Sequence, residues 1–384
     1  MEVLIPMIAR QLNTIRFASG ALNLESWPSI ADILCASLLL CGILAPVQTA
    51  SAQDSTPLWT FAVSGDSRNC GDFVMPAIAT KVKAEGDTFY WHLGDFRYIA
   101  KLDDDLQAMR PDLELKEYQS LAWDDFLTHQ IASFGSLPVF LGRGNHENIS
   151  PMTRDGYIAK FSSFLDRPEI VAQRITDGAA AAPRGPWYHW TQGWVDFITL
   201  DNASQEEFTT AQLNWLRFVL DRDLAPNSSV RAIVVGMHEA LPHSTSSDHA
   251  MDDWDRGEQT GSLVYTWLYD AQAAGKHVYI IASHSHYYSP AIFNTPYWKQ
   301  YSKQVVPGFI IGSAGAFRHR LPKNADKEAR THIYGFLQGA VQADGSINFS
   351  LHEVTEDDLT QARWQNAPLD AIHNCIIKNA ETDQ

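Results

Sequence analysis

Five short polar segments, each following a run of apolar residues, contain side chains of the kinds that bind metal ions. In chain order they read Gly65-Asp66-Ser67-Arg68, Gly94-Asp95-Phe96-Arg97-Tyr98, Gly144-Asn145-His146-Glu147, Gly236-Met237-His238-Glu239 and Ser283-His284-Ser285-His286. Carboxylate, amide and imidazole ligands without a thiolate suit ions such as Fe, Mn or Zn. Two such ions can hold both the attacking and the leaving oxygen of a phosphoryl group, and can convert water into hydroxide. The order and chemistry of the segments therefore indicate hydrolysis of phosphate esters.

A single Gly-Asp pair after a strand is weak evidence for a site, because Gly and Asp are common turn formers. The whole set is stronger evidence, since every segment is expected at the carboxyl end of a strand, where α/β folds collect functional groups. Glycine before Asp66, Asp95 and Asn145 allows a sharp turn and a close approach of the main chain to an ion. We therefore expect the five segments to meet at one edge of the folded core.

Short runs rich in Val, Ile, Phe and Tyr alternate along the chain with longer amphipathic stretches. Strands are predicted at 60–64, 88–93, 137–141, 195–200, 231–235, 277–282 and 309–311, and as a final hairpin around Ala340 and Phe349 that turns at Asp344-Gly345. Helices are predicted at 72–84, 103–134, 155–164, 210–223 and 258–274. This alternation indicates an α/β domain whose central sheets are covered by helices.

Composition and charge fit a soluble globular protein with one large domain, or two. The 384 residues carry a formal net charge of −16 at pH 7, spread along the chain. This acidity disfavours non-specific nucleic-acid binding, because phosphates are repelled at long range. A phosphoester substrate, small or macromolecular, would have to be attracted locally, and bound cations could provide that attraction. We expect a catalytic domain at 53–354 and a polar C-terminal tail at 355–384.

Residues 1–52 have features of an N-terminal leader. An apolar stretch at 33–44 precedes Ala50-Ser51-Ala52, a pattern typical of signal-peptidase sites. The segment before the apolar stretch is long, and Arg10 and Arg16 are its only basic residues. Translation could therefore start further downstream, or the segment could be an uncleaved anchor, although the apolar stretch is short for a full span. We expect export to the periplasm or the medium, with no stable membrane span after cleavage of the leader.

Four cysteines are present, of which Cys35 and Cys41 lie inside the expected leader. Cys70 and Cys375 remain, and in an oxidising compartment they could form one disulfide that ties the end of the chain to the loop after the first polar segment. Two unpaired buried thiols are the alternative. Neither residue has the spacing of a thiolate zinc site.

The five segments together resemble the calcineurin-like metallophosphoesterase superfamily, whose pattern is Asp-x-His, Gly-Asp, Gly-Asn-His-Asp/Glu, His and Gly-His-x-His. The resemblance extends from Phe61 to about Glu353. It implies a four-layer sandwich in which two facing mixed β-sheets are flanked by helices.

The same resemblance implies roles for individual residues. Asp66 and His286 would bind a first metal ion, Asn145, His238 and His284 a second, and Asp95 would bridge the two. His146 would contact the substrate phosphate or protonate the leaving oxygen, and Glu147 would orient His146.

The chain departs from the superfamily pattern at two positions. Arg68 stands where most members have a histidine ligand, and arginine cannot bind a cation. Purple acid phosphatases, a branch of the superfamily, also lack that histidine and use a tyrosine three residues after the bridging Asp, where this chain has Tyr98. A site with Fe(III) bound to Tyr98 is therefore conceivable, and Arg68 would be free to pair with Asp66 or to hold a phosphate oxygen. Ser283 replaces the usual Gly of the fifth segment, which should not affect ligation.

These features predict a dinuclear hydrolase in which a hydroxide on the metal ions attacks phosphorus, with His146 assisting departure of the alcohol. The alternative is an exported protein of the same fold that binds metal or phosphate and has lost catalysis, and Arg68 is its best support. The polar stretch 243–256 could border the substrate entrance, but a solvated surface loop is favoured for it. The aromatic run Trp187-Tyr188-His189-Trp190 is expected to pack at a sheet edge, or else to line a pocket.

Overall fold

The structure, a computed structural model, describes residues 56–179, 184–203, 207–246, 249–363 and 367–381. The expected leader at 1–52 lies outside these residues, as does part of the predicted loop 243–256. Among the described residues, no helix is both long enough and apolar enough to cross a membrane.

Eleven strands in the described residues form two sheets. They are β1 Trp59–Ser64, β2 Tyr90–His92, β3 Val139–Leu141, β4 Tyr188–Gln192, β5 Val195–Thr199, β6 Ala232–Met237, β7 His277–Ala282, β8 Tyr288–Pro290, β9 Gly308–Ile311, β10 Tyr334–Val341 and β11 Ile347–Val354. The first sheet has the order β11-β10-β1-β2-β3, and the second has the order β4-β5-β6-β7-β9-β8. Both are mixed, because a parallel centre (β1 to β3, and β5, β6, β7 and β9) is extended by antiparallel strands.

The helices of the described residues lie between the strands and after them. They are α1 Gly71–Ala84, α2 Asp104–Met109, α3 Leu115–Asp125, α4 Arg154–Lys160, α5 Ser162–Leu165, α6 Pro168–Thr176, α7 Thr210–Asp223, α8 Asp255–Ala273, α9 Pro296–Lys299, α10 Glu356–Ala362 and α11 Leu369–Ala380. Single turns of other helix types occur at Phe126–Gln130, Ile131–Phe134, His146–Asn148 and Met251–Asp253.

Aromatic side chains between the two sheets show that the sheets face each other. Phe61 of the first sheet meets Phe197 of the second at a centroid distance of 5.0 Å, and Phe140 stacks on Trp190 at 3.8 Å. A second core lies on the outer side of the second sheet, where strand residues such as Ile233 are buried with residues of α7 and α8. Helix α1 packs against the first sheet. The predicted α/β sandwich of two mixed sheets flanked by helices is confirmed.

Element boundaries differ from the prediction in two kinds of place. One is a local break within a predicted helix, and the other is a strand too short to give a strong sequence pattern. The predicted helix at 103–134 is wrong as a single element, because α2 ends at Met109 and α3 begins at Leu115. Pro111 lies between them and disfavours helical geometry at Arg110, whose φ and ψ are −137° and 78°. The aromatic run at 187–190 is largely the edge strand β4 itself.

The segment expected as a polar C-terminal tail contains α10 and α11. Leu359, Ile372 and Cys375 of these helices are buried. Cys375 forms a disulfide with Cys70 at the start of α1, with an S–S distance of 1.98 Å. The single pairing that the sequence allows is therefore present, and it joins the end of the chain to the loop that follows Asp66.

Candidate metal centre

The five polar segments meet where parallel strands of both sheets end. Asp66, Asp95 and Asn145 follow β1, β2 and β3, while His238 and His284 follow β6 and β7. Backbone hydrogen bonds join neighbouring loops within a sheet, as from Asp66 N to Gly94 O at 2.9 Å and from Ser283 N to His238 O at 2.9 Å. The two sheets are joined directly, because His284 N donates to Asp66 Oδ2 at 2.8 Å. The expected convergence at one edge of the core is therefore what the structure shows.

The backbone at this edge of the core makes tight turns, as the glycines of the polar segments predict. Asp66, Asp95 and His284 all have left-handed backbone, with φ of 61°, 60° and 62°. A Cβ atom on Gly144 would lie 2.2 Å from Asp95 Oδ1. Left-handed conformations cost energy in residues other than glycine and persist where the surrounding structure enforces them. Here they turn ligand side chains toward one another.

Four donor atoms converge at what we call the second metal position, formed by Asp95, Asn145, His238 and His284. His238 Nε2 lies 3.0 Å from Asn145 Oδ1, 3.0 Å from His284 Nδ1 and 3.3 Å from Asp95 Oδ1. His238 Nδ1 is 3.1 Å from the carbonyl oxygen of Leu93 and can donate to it, so Nε2 is the ring atom that would bind an ion after losing its proton. As placed, the Asn145 amide oxygen faces acceptor atoms of Asp95 and His238, as a ligand oxygen at an ion site would, and without an ion only the rotated amide could donate to them. The donor set of carboxylate, amide oxygen and two imidazoles fits Zn, Mn or Fe.

The electrostatics of this position favour positive charge. Burial opposes ionisation of Asp95, but His146, His238 and Arg68 outweigh it and hold the pKa of Asp95 well below its usual value. Burial also lowers the pKa of His238, yet Asp95 outweighs it and raises that pKa to about 10. Burial and the neighbouring His238 keep the pKa of His284 well below its usual value, so His284 is neutral as a ligand must be.

What we call the first metal position, formed by Asp66, Asp95, Tyr98 and His286, is arranged differently. Asp66 Oδ1 is buried 3.4 Å from His286 Nε2 and makes no hydrogen bond. Arg68 Nη2, however, lies 3.0 Å from the same nitrogen, and Arg68 Nε lies 3.6 Å from Asp95 Oδ2. Arg68 therefore pairs with Asp95 and His286, whereas pairing with Asp66 was one of the two alternatives from the sequence, and its other alternative, holding a phosphate oxygen, stays a prediction. Residues here do not fit an ion as they stand, because a guanidinium already contacts two of the expected ligands.

Tyr98 contacts residues of the site through its ring. The Arg68 guanidinium carbon lies 4.6 Å from the ring centre, and the His146 ring lies 5.0 Å away. Tyr98 also contributes its backbone oxygen as an acceptor for His146 Nδ1, at 2.5 Å. Ligation of a metal ion by the Tyr98 hydroxyl remains a prediction.

His146 and Glu147 are positioned by separate contacts. His146 Nδ1 faces the Tyr98 carbonyl, and its Nε2 lies 3.6 Å from Asp95 Oδ2. Glu147 is turned inward and accepts the N–H groups of Gly144, Asp95 and Phe96 at 2.7, 2.9 and 2.9 Å. Burial and the nearby Asp95 raise the pKa of Glu147 to about 7, which these N–H groups oppose. The orienting partner of His146 is thus the Tyr98 carbonyl, whereas Glu147 ties two ligand loops together.

Two further histidines lie near the site: His319, which sequence reasoning missed, and His249, which belongs to the stretch 243–256. His319 stacks on His286 at 3.8 Å, and His249 stacks on His319 at 4.6 Å and meets the His284 ring at 5.2 Å. A cavity of about 270 Å³ beside His284 is lined by His249, Asp253 and Trp254 together with Glu239 and Ala250. Part of the stretch 243–256 therefore borders the centre, as the less favoured interpretation had it. Asp248 of that stretch lies outside the described residues.

A second charged group lies behind the ligand loops, and we call it the Arg97 cluster: Asp72, Arg97, Asp103, Asp105 and Asp125. Arg97 is fully buried and contacts all four carboxylates, with Nη1 3.2 Å from Asp105 and 3.6 Å from Asp103. Asp103 Oδ1 in turn accepts the N–H groups of Asn69 at 2.5 Å and Tyr98 at 3.2 Å. The cluster therefore connects the loop that carries Arg68 to the loop that carries Asp95.

No protein-family model matches the chain, and no curated protein matches it either. Solved structures do match. A purple acid phosphatase from yellow lupin (Lupinus luteus) seeds is 15% identical with a TM-score of 0.49, over 80% of this chain and 55% of the lupin chain. This chain thus spans about half the length of the lupin protein.

Two further solved structures match with similar sequence identities and TM-scores. The structure of PhoD is 12% identical with a TM-score of 0.46, over 85% of this chain and 78% of that chain. A dimetal phosphatase from Danio rerio is 14% identical with a TM-score of 0.44, over 75% and 94% of the two chains.

Proposed function

We propose that the protein is a metal-dependent hydrolase of phosphate esters. The observation that carries the proposal is the convergence of Asp95, Asn145, His238 and His284, from four loops of two sheets, with donor atoms of the other three 3.0 to 3.3 Å from His238 Nε2. A bound metal ion would supply a Lewis acid that polarises the phosphoryl group and lowers the pKa of water. The chain's own residues would place the phosphoester and transfer the proton.

His146 and Arg68 have the chemistry that phosphoester cleavage needs. His146 is held through Nδ1 by the Tyr98 carbonyl, which leaves Nε2 as the atom that can donate a proton to the leaving oxygen. Arg68 keeps a permanent positive charge beside Asp95, with its side chain 13% exposed, and can attract a phosphate oxygen. The cavity beside His284 gives the rest of a substrate room next to the second metal position.

The test is turnover of nitrophenyl phosphate monoesters and diesters by the purified protein loaded with Zn²⁺ or Mn²⁺. His146→Ala should lower kcat by about 10²- to 10⁴-fold while bound metal stays unchanged. Asp95→Asn should remove both bound metal and turnover, because the carboxylate charge is lost from the ligand set. His373→Ala, in an exposed part of α11, is the matched control and should resemble the wild type.

Two results would contradict the proposal. Metal binding without turnover of any phosphoester would favour the second candidate, an exported protein that binds metal or phosphate, which the position of Arg68 also supports. Full activity of Asp95→Asn would show that the centre is not the active site.

We also propose that the protein is exported. The Cys70–Cys375 disulfide supports this, since disulfides persist in oxidising compartments. Fractionation of cells with N-terminal sequencing of the mature chain would test it. A chain that stays in the cytoplasm with both thiols reduced would contradict it.

A further inference from the structure

The two metal positions differ in which groups face the Nε2 atom of their histidine, His238 at the second position and His286 at the first. His238 Nε2 faces Asp95, Asn145 and His284, which are all groups that can act as ligands. His286 Nε2 instead faces Arg68 Nη2 at 3.0 Å. Arginine can only donate at this contact.

His286 has no spare lone pair for an ion. Its Nδ1 lies 2.6 Å from the carbonyl oxygen of Phe317 and must carry the proton to donate there. Nε2 then holds the only lone pair of the ring, and Arg68 uses it. One nitrogen cannot accept a hydrogen bond from a guanidinium and bind a cation at the same time.

The place of Arg68 is fixed by its surroundings. Its backbone N–H donates to the carbonyl of Asp95 at 3.2 Å, and the next residue is held by Asp103. The side chain is mostly buried between Asp95 and the face of Tyr98. A divalent ion at the first metal position would meet this permanent charge at close range, and the repulsion is strong where solvent is excluded.

We propose that the protein binds one metal ion per chain, at the second metal position, and that the Arg68 guanidinium serves as a built-in cation in place of another ion. This inference rests on the metal-binding part of the proposed function and goes against the two ions that the sequence predicts. Arg68 then balances the charge of Asp95 from one side while the single ion does so from the other.

Removal of Arg68 should open the first metal position. Asp66 Oδ1 is buried without a hydrogen-bond partner, and His286 Nε2 would become available 3.4 Å from it. Arg68→Ala therefore leaves two ligands free beside the Asp95 carboxylate. Arg68→His adds an imidazole at the position where the superfamily pattern has one.

The experiment measures ions per chain in protein stripped with a chelator and titrated with Mn²⁺, by calorimetry and by metal analysis after desalting. The wild type should bind one ion per chain, and Arg68→Ala and Arg68→His should bind two. Lys101→Ala is the matched control, since Lys101 lies 5.7 Å from the Tyr98 ring on an exposed loop and should leave the count at one. Electron paramagnetic resonance adds a measurement that needs no variant, because a lone Mn²⁺ and an exchange-coupled pair give different spectra.

Each outcome decides the inference. An isolated-ion spectrum with one ion in the wild type supports it, while two bound ions, or an exchange-coupled spectrum, overturn it. A count that stays at one in both Arg68 variants also overturns it, because Arg68 would then not be what excludes the other ion. Phosphoester turnover in the same samples separates the two proposals: one ion without turnover leaves this inference standing and removes the proposed function, whereas two ions with turnover do the reverse.

Discussion

Asp95 and Arg97 are two residues apart on one loop, yet one is a buried anion among cationic groups and the other is a buried cation among anionic groups. Asp95 is a buried carboxylate surrounded by His146, His238 and Arg68. Arg97 is a buried guanidinium surrounded by four carboxylates. In the first region, the metal centre, ligand atoms converge on a point where an ion could bind. In the second region, the Arg97 cluster, the carboxylates converge on the Arg97 guanidinium.

The comparison shows how a buried charge can serve function or structure. Asp72 and Asp125 of the Arg97 cluster lie close enough to bind an ion together with the neighbouring His129, but the Arg97 guanidinium already provides the cation there. A buried charge without its partner costs several kcal/mol. The Arg97 cluster therefore holds its loops with a cation of its own chain, while the metal centre depends on an ion taken from outside.

The strongest test of this difference is Arg97→Met. We expect the free energy of unfolding to fall by about 3–5 kcal/mol, because four buried carboxylates lose their common cation. Urea unfolding measures the loss. Arg154→Met, which removes an arginine whose side chain is 40% exposed, is the control and should cost much less. A loss for Arg97→Met no larger than for the control would show that the cluster does not hold these loops.

Addition of a metal ion should stabilise the protein through the metal centre alone, and not through the Arg97 cluster. At 100 to 1,000 times its dissociation constant, Zn²⁺ should raise the free energy of unfolding by about 3–4 kcal/mol, since it binds only the folded chain. Asp95→Asn should abolish this increase, whereas Asp125→Asn in the Arg97 cluster should keep it. Thermal unfolding with and without the ion is the measurement. An increase that disappears in Asp125→Asn as well would mean that the two regions are not independent.

The ligand loops were predictable because their pattern is local. Each combines an apolar run with a glycine and a polar residue, and the strand at 277–282 and the helix at 210–223 have the bounds that their sequence patterns predict. The order of the motifs then placed Asp66, Asp95, Asn145, His238 and His284 at adjoining strand ends.

Contacts between distant residues were not predictable in this way. Arg68 and His286 are 218 residues apart, and no periodicity shows that a guanidinium would meet that imidazole. His319 follows no strand with a ligand motif, and its stacking on His286 depends on how the chain returns to the site. Glu147 was expected to orient its neighbour in sequence, His146. Its actual hydrogen-bond donors could not be predicted, because some of these backbone N–H groups belong to the loop that carries Asp95.

Asp87 sharpens the comparison, because this carboxylate is buried beside neither a cation nor a candidate metal position. It is 5% exposed, and Gln338 Nε2 donates a hydrogen bond to it at 3.0 Å. Burial raises the pKa of Asp87 to about 6, while hydrogen bonds from Thr60 and Gln338 oppose the shift. Between about pH 4 and pH 6 the folded chain therefore holds a proton that the unfolded chain has released.

The free energy of unfolding should consequently fall as the pH rises through this window, since the folded state binds more protons there than the unfolded state does. Asp87→Asn should remove that part of the slope and be more stable than the wild type above pH 6 by about 1–2 kcal/mol, because one pKa unit corresponds to about 1.4 kcal/mol and solvent reduces the effect. Urea unfolding at pH 4, 5, 6 and 7 measures it, with the exposed Asp112→Asn as a control for net charge. A slope that is unchanged in Asp87→Asn would show that a buried carboxylate can stay ionised here without a cation, and would remove the physical basis for contrasting the two regions.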